Sequence, residues 1–136
     1  EHYQWFYGHK GTESQFSRWN ELFDEYGVDF ALAGNNHIYV ATPPIKDRKP
    51  TEPGKGTVYI QTPSSDNERG HAEQEFTDHT GLIKSRWDEG PMTVGALLMK
   101  VTPKNIEISL YNRNDDLIDQ NIILPISDKT LTQNTH

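Results

Sequence analysis

A length of 136 residues suits a single domain, and 33% hydrophobic residues with a mean hydropathy of -0.81 predict a modest core under a very polar surface. The 13 Lys and Arg against 20 Asp and Glu give a formal net charge of -7, which argues against non-specific binding to nucleic acid. No apolar run approaches the ~20 residues of a membrane span, and the absence of cysteine excludes disulfides while leaving the redox compartment undecided.

The beginning of the chain has neither a methionine nor a leader sequence, so we expect a piece of a longer parent polypeptide. Residues 2–7 are rich in aromatic side chains and predict the end of a strand that runs into a loop at Gly8.

An amphipathic helix is predicted next, because large apolar side chains recur at the spacing i, i+3, i+7 and i+10. These side chains are Phe16, Trp19, Phe23 and Tyr26. Gly27 stands where a helix commonly ends. The helix should therefore present one apolar face to a sheet.

Two short strands flank a glycine in the middle of the chain. Residues 28–33 form an apolar run that ends at Gly34, and residues 38–42 resume an extended pattern. Residues 57–62 predict a further strand. The segments between and after these strands, 43–56 and 63–90, are rich in turn-forming or polar residues and predict loops.

The last part of the chain predicts an antiparallel meander. Residues 96–101, 106–111 and 117–124 read as strands, with turn-forming residues between them. Residues 127–136 predict a flexible tail. The order of elements predicts an α/β domain, or α+β by strict count, in which the helix covers one face of a sheet.

The turn after the first of these strands is the strongest candidate for a site. Asn35 and His37 follow Gly34, and His2 and His9 follow or end another strand-like run. Loops at the carboxyl ends of strands converge, and imidazole and amide donors suit a divalent cation. Asparagine pairs are also common in turns, and a lone loop histidine is usually a surface residue. The residues alone leave both interpretations open.

Six blocks of sequence carry a resemblance to a known family. They are HYQWFYGH, EYGVDFALAG, GNNHIYVAT, GTVYIQT, VGALLMKV and ISLYNRNDDLIDQNIIL, in chain order. Together they resemble the purple acid phosphatase-like branch of the calcineurin-like metallophosphoesterases. The turn GNNHIY falls on a Gly-His-x-His-x-Tyr motif of that family.

The resemblance implies an architecture and an activity. Residues 1–126 would be the C-terminal half of an α/β/β/α sandwich, and the N-terminal half of the same parent would be its partner. The parent would be an acid phosphatase-like hydrolase of phosphate esters, a phosphomonoesterase or a closely related phosphodiesterase. The isolated piece would be inactive. By analogy the parent would be bacterial and secreted or periplasmic.

The resemblance also implies a set of site residues. His2 and His37 would each bind one ion of a metal pair, iron with zinc or manganese. Asn35 stands where the family has a second histidine of the turn. In the alignment with the family pattern, His9 falls near a histidine of the family that contacts the phosphate and protonates the leaving alcohol. The metal centre is incomplete in this chain, because the family's other ligand motifs lie in the N-terminal half.

Two departures from the family pattern support an alternative. Asn35 offers an amide oxygen, a weaker donor to zinc or iron than imidazole, and Ala41 replaces an arginine. A pseudo-enzyme or binding module that keeps the scaffold with a degraded metal site is therefore the second hypothesis. An unrelated α+β domain is a third.

Overall fold

The computed structural model describes residues 15–34, 37–65, 78 and 80–127. This part of the chain holds one α-helix, a short 3-10 turn at Gly90–Met92 and nine strands. The elements are α1 (Gln15–Tyr26), β1 (Phe30–Ala33), β2 (Tyr39–Ala41), β3 (Ile45–Lys46), β4 (Lys49–Pro50), β5 (Val58–Gln61), β6 (Ser85–Trp87), β7 (Gly95–Val101), β8 (Ile106–Asn112) and β9 (Leu117–Ile123). None of the helices in the described ranges is long and apolar enough to cross a membrane.

A mixed four-stranded sheet has the order β1-β5-β2-β6. β1 and β5 are parallel, with Ala33 opposite Gln61, whereas β2 is antiparallel to both β5 and β6. A parallel pair needs a long crossover between its strands, and residues 34–57 supply it with β2 and a small β3-β4 hairpin.

The second sheet is the predicted meander, with the order β7-β8-β9 and antiparallel pairing throughout. The turn from β8 to β9 is closed by the side chain of Asn112, whose Oδ1 accepts hydrogen bonds from the backbone N–H groups of Asn114 and Asp116 at 2.9 and 3.0 Å. Asp115 takes a left-handed φ of 63° in this turn, a conformation that aspartate tolerates better than most residues. The turn chemistry thus fixes the register of the two strands.

The two sheets pack face to face around the larger apolar core. Alternation along the strands sends Ala41, Ile60 and Trp87 from the first sheet toward Ile108 and Leu110 of the second. Four of these five side chains are completely or almost completely buried, and Trp87 retains 8% exposure. The opposite face of the first sheet packs against α1, which gives three layers: helix, mixed sheet and meander.

The helix α1 contacts the sheet through part of its predicted apolar face. The ring of Phe16 meets the ring of Tyr59 edge to face at 5.2 Å between centroids, and Phe23 lies 6.1 Å from the same ring. Trp19 and Tyr26 are instead 42% and 69% exposed, so the prediction of one continuous buried stripe was half correct. Gly27, with a φ of 61°, ends the helix as predicted.

The segments predicted as loops contain strands. The β3-β4 hairpin lies within residues 43–56, and its two-residue turn, Asp47 and Arg48, has φ values of 50° and 62°. β6 lies within residues 63–90 and pairs with β2. Strands of two or three residues show no alternation long enough to detect, and only their partners define them. The predicted strand at residues 2–7 lies outside the described residues.

The end of the described chain is tied to the beginning of β1. The backbone N–H of Ile126 donates to Asp29 Oδ1 at 2.8 Å, and the N–H of Ser127 donates to the carbonyl of Gly54 at 3.2 Å. These bonds lie at the edge of the sheet where β1 starts.

Candidate functional site

Four strands meet at one edge of the mixed sheet. β1 and β5 both end there because they are parallel, and β2 begins there because it is antiparallel to β5. β6, antiparallel to β2, also ends there, with Trp87 opposite Tyr39. β1 therefore ends and β2 begins at the same carboxyl edge of the sheet. We call the connecting residues 34–38, of which the structure describes 34, 37 and 38, the edge turn. Loops in this position form the sites of open α/β sheets.

The exit from β1 into the edge turn is held by β5. The carbonyl oxygen of Ala33 accepts two hydrogen bonds from Thr62, one from its backbone N–H at 2.8 Å and one from its Oγ1 at 3.2 Å. Residue 62 immediately follows β5, so the point where β1 ends and the edge turn begins is fixed to the neighbouring strand.

The return from the edge turn into β2 is held by side chains on both faces of the sheet. Ile38 is 7% exposed and Tyr39 is 1% exposed. The hydroxyl of Tyr39 donates to Asp119 Oδ2 at 2.8 Å and accepts from Asn121 Nδ2 at 2.8 Å. Ser85 Oγ donates to the same Asp119 oxygen at 2.6 Å. We call Tyr39, Ser85, Asp119 and Asn121 the inter-sheet clamp, because it joins β2 and β6 to β9.

The ionisation of the clamp follows from its contacts. Burial raises the pKa of Asp119, but hydrogen bonds from Ser85 and Tyr39 and the nearby ammonium of Lys84 outweigh it, so the pKa lies below its ordinary value. Burial, and then the Asp119 carboxylate, raise the pKa of Tyr39 far above its ordinary value. The phenol is therefore neutral and donates to an ionised carboxylate, which makes the bond charge-assisted.

The structure places one of the four predicted site residues. His37 lies in the bend directly before β2, half-buried, at the carboxyl edge where the sequence predicted it. His2, His9 and Asn35 lie outside the described residues, so their roles stay predictions. The edge position of His37 agrees with a ligand role without testing it.

A buried carboxylate at the same edge was not predicted. Asp88 follows β6, and its Oδ2 accepts from Arg86 Nη2 at 2.7 Å while its Oδ1 accepts from the N–H of Gly90 at 2.9 Å. The Asp88 side chain is fully buried. One oxygen thus binds the guanidinium of Arg86 and the other binds the start of the 3-10 turn, which gives Asp88 a structural role.

The packing of the two sheets explains why Ala41 stands where the family pattern has an arginine. Ala41 is 0% exposed and belongs to the core between the two sheets, beside Ile60 and Trp87. An arginine side chain at this position would carry its charge into an apolar core at a large desolvation cost. The alanine therefore follows from the packing of this sheet.

The predicted ligands carry donor atoms of the types that bind divalent cations. Imidazole nitrogen and amide oxygen bind borderline and hard ions. In residues 15–34, 37–65, 78 and 80–127, however, no group of three or more His, Cys, Asp or Glu side chains could hold a metal ion. A metal site at His37 would therefore need donors from residues outside these ranges.

Comparison with known proteins establishes the fold. No family model and no curated protein matches the chain. The structure is similar to that of a purple acid phosphatase isolated from yellow lupin (Lupinus luteus) seeds, with a TM-score of 0.61 and 18% sequence identity. The match covers 88% of this chain and 21% of that one, so the chain spans about a fifth of its length. The predicted α/β fold is confirmed, and it is similar to part of the purple acid phosphatase fold.

Proposed function

We propose that this chain is the C-terminal part of a metal-dependent phosphomonoesterase. The observation that carries the proposal is the position of the edge turn: in a fold like that of a purple acid phosphatase, it brings His37 to the carboxyl edge of the mixed sheet. The sequence motif and the position of the edge turn both support this proposal.

The predicted ligands have distinct roles in this proposal. His2 and His37 would each hold one ion of a metal pair, and the amide oxygen of Asn35 would be a third donor. Such ions, when bound, supply Lewis-acid polarisation of a phosphate ester. Because an amide oxygen is a harder donor than imidazole, we expect the Asn35 position to favour manganese over zinc. His9 would protonate the leaving alcohol.

Exposed apolar surface supports a further part of the parent as partner. Leu32 on the edge strand β1 is 44% exposed, and β1 has neither proline nor charge to discourage pairing. Met99 and Val101 are 39% and 67% exposed although they share the inward face of the meander with Ile108. An N-terminal half that pairs with β1 and covers these side chains would complete the sandwich and supply the missing ligands.

The test is metal content and phosphatase activity of the full-length parent. We expect bound metal by plasma mass spectrometry and hydrolysis of an aryl phosphate when manganese, zinc or iron is added. His37→Ala should lower metal affinity by at least ~10-fold, the scale on which the groups around a metal act. His79→Ala, in a polar segment outside the motif, is the control and should change neither.

The alternative hypothesis gives a different result in the same experiment. Asn35 favours a scaffold whose metal site has degraded. A folded parent without metal and without turnover would contradict the phosphatase proposal and support a binding module.

A further inference from the structure

The inter-sheet clamp lies beside the candidate ligand turn without belonging to it. Tyr39 is the first residue of β2, and His37 precedes it by two positions. β2 has only three residues, so few ladder hydrogen bonds hold its beginning. The side-chain contacts of Tyr39 therefore have a large share in fixing where the edge turn returns to the sheet.

The contacts of Tyr39 reach across the whole sandwich. Its hydroxyl bonds to Asp119 and Asn121, which are 80 and 82 residues away in the sequence and belong to the other sheet. Lys84 Nζ extends the network by donating to Asn121 Oδ1 at 2.9 Å. Asn121 is 4% exposed, so this amide is itself well fixed.

We propose that Tyr39 is a positioning residue for the metal-binding turn: its hydroxyl, held by Asp119 and Asn121, fixes the beginning of β2 and so the placement of the His37 imidazole. This inference rests on the proposed function, because it assumes that His37 is a ligand. The hydroxyl would act through the placement of His37 and not as a ligand itself.

The chain offers a matched pair of variants. Tyr39→Phe and Ser85→Ala each remove one hydrogen bond to Asp119 Oδ2, and Tyr39→Phe also removes the bond from Asn121 Nδ2. Only Tyr39 lies on the strand that leaves the edge turn. In Tyr39→Phe the carboxylate keeps its bonds from Ser85 at 2.6 Å and from Asn121 at 3.2 Å. Both variants should therefore fold.

Two readouts on the full-length parent separate positioning from stability. The first is the affinity for Mn²⁺ by calorimetry, at a temperature where all proteins are fully folded. We expect Tyr39→Phe to lower the affinity by about 10-fold, as loss of a group that orients a metal ligand commonly does, and Ser85→Ala to leave it unchanged. The second is hydrogen–deuterium exchange of the metal-free protein, where peptides spanning residues 34–40 should exchange faster only in Tyr39→Phe.

The outcomes distinguish the two proposals. An unmodified parent that binds Mn²⁺, with equal affinity in Tyr39→Phe, would overturn the positioning role while the proposed function stands. Equal losses of affinity in both variants would also overturn it, since general loosening of the sandwich would then explain the effect. If the unmodified parent binds no metal, both proposals fail as stated, whatever the exchange rates.

Discussion

Two buried tyrosines on adjacent strands of the mixed sheet show how one residue type can stabilise a fold in different ways. Tyr39 on β2 and Tyr59 on β5 are each 1% exposed, but they point to opposite faces of the sheet. Tyr59 lies among the rings of Phe16 and Phe23 under α1. Tyr39 faces the meander and reaches a carboxylate and an amide.

The difference lies in which part of the side chain contributes. Around Tyr59, burial and then the charge of Asp24 raise the pKa of the phenol, and the ring makes the aromatic contacts. Around Tyr39 the hydroxyl joins two sheets through a charge-assisted bond. We infer that the ring matters most at Tyr59 and the hydroxyl at Tyr39.

The largest expected effect comes from removing the ring of Tyr59. Tyr59→Ala leaves a cavity between α1 and the sheet and should lower the free energy of unfolding by about 3–5 kcal/mol. Urea denaturation followed by circular dichroism measures this change. A loss no larger than that of an exposed control, Leu98→Ala on β7, would contradict the importance of the aromatic cluster.

Removing the hydroxyl of Tyr39 should have the next largest effect. Tyr39→Phe breaks a hydrogen bond to a charged group, so the free energy of unfolding should fall by about 1.5–3 kcal/mol. A double-mutant cycle with Asp119→Asn should give a coupling energy of about 0.5–3 kcal/mol, because the two groups are in contact. Strict additivity would mean that the bond at 2.8 Å contributes nothing to stability.

The same substitution at Tyr59 provides the sharpest contrast. Tyr59→Phe keeps the ring and its contacts with Phe16 and Phe23, so we expect a loss of about 0.5–1.5 kcal/mol at most. Parallel denaturation curves of Tyr39→Phe and Tyr59→Phe compare the two sites directly. The comparison fails if Tyr59→Phe is the more destabilised protein.

The smallest effect is a dependence on acid pH. The pKa of Asp119 is lower in the folded state than its ordinary value, so its contribution to stability is present above the unfolded pKa and is lost as the pH falls through the folded pKa. The stability difference between the wild type and Asp119→Asn should therefore narrow below the ordinary pKa of aspartate. Tyr59→Phe, which removes no carboxylate, should show no such narrowing between neutral and acid pH.

The sequence predicted those elements whose signals are local. α1 has a helical spacing and ends before its predicted terminal glycine. The meander has long strands with turn residues between them, and their bounds were confirmed within one residue. The β3-β4 hairpin and β6 were missed because strands of two or three residues depend on their neighbours. Gly34 after an apolar run correctly marked the end of β1.

The candidate site was predictable only in part. The position of His37 at the carboxyl edge followed from the turn signal, whereas His2, His9 and Asn35 remain predictions. The inter-sheet clamp could not be predicted, because Tyr39 and Asp119 lie 80 residues apart and a single sequence contains no record of such pairings.

The bonds from Ile126 to Asp29 and from Ser127 to Gly54 have a practical consequence. They hold the end of the described chain at the edge where β1 starts, and the edge turn lies at the opposite edge, where β1 ends. A linker attached at Ser127 would therefore anchor the domain to a sensor surface with the edge turn facing the solution. Metal binding to the full-length parent could then be followed on immobilised protein without the attachment obstructing the ligands.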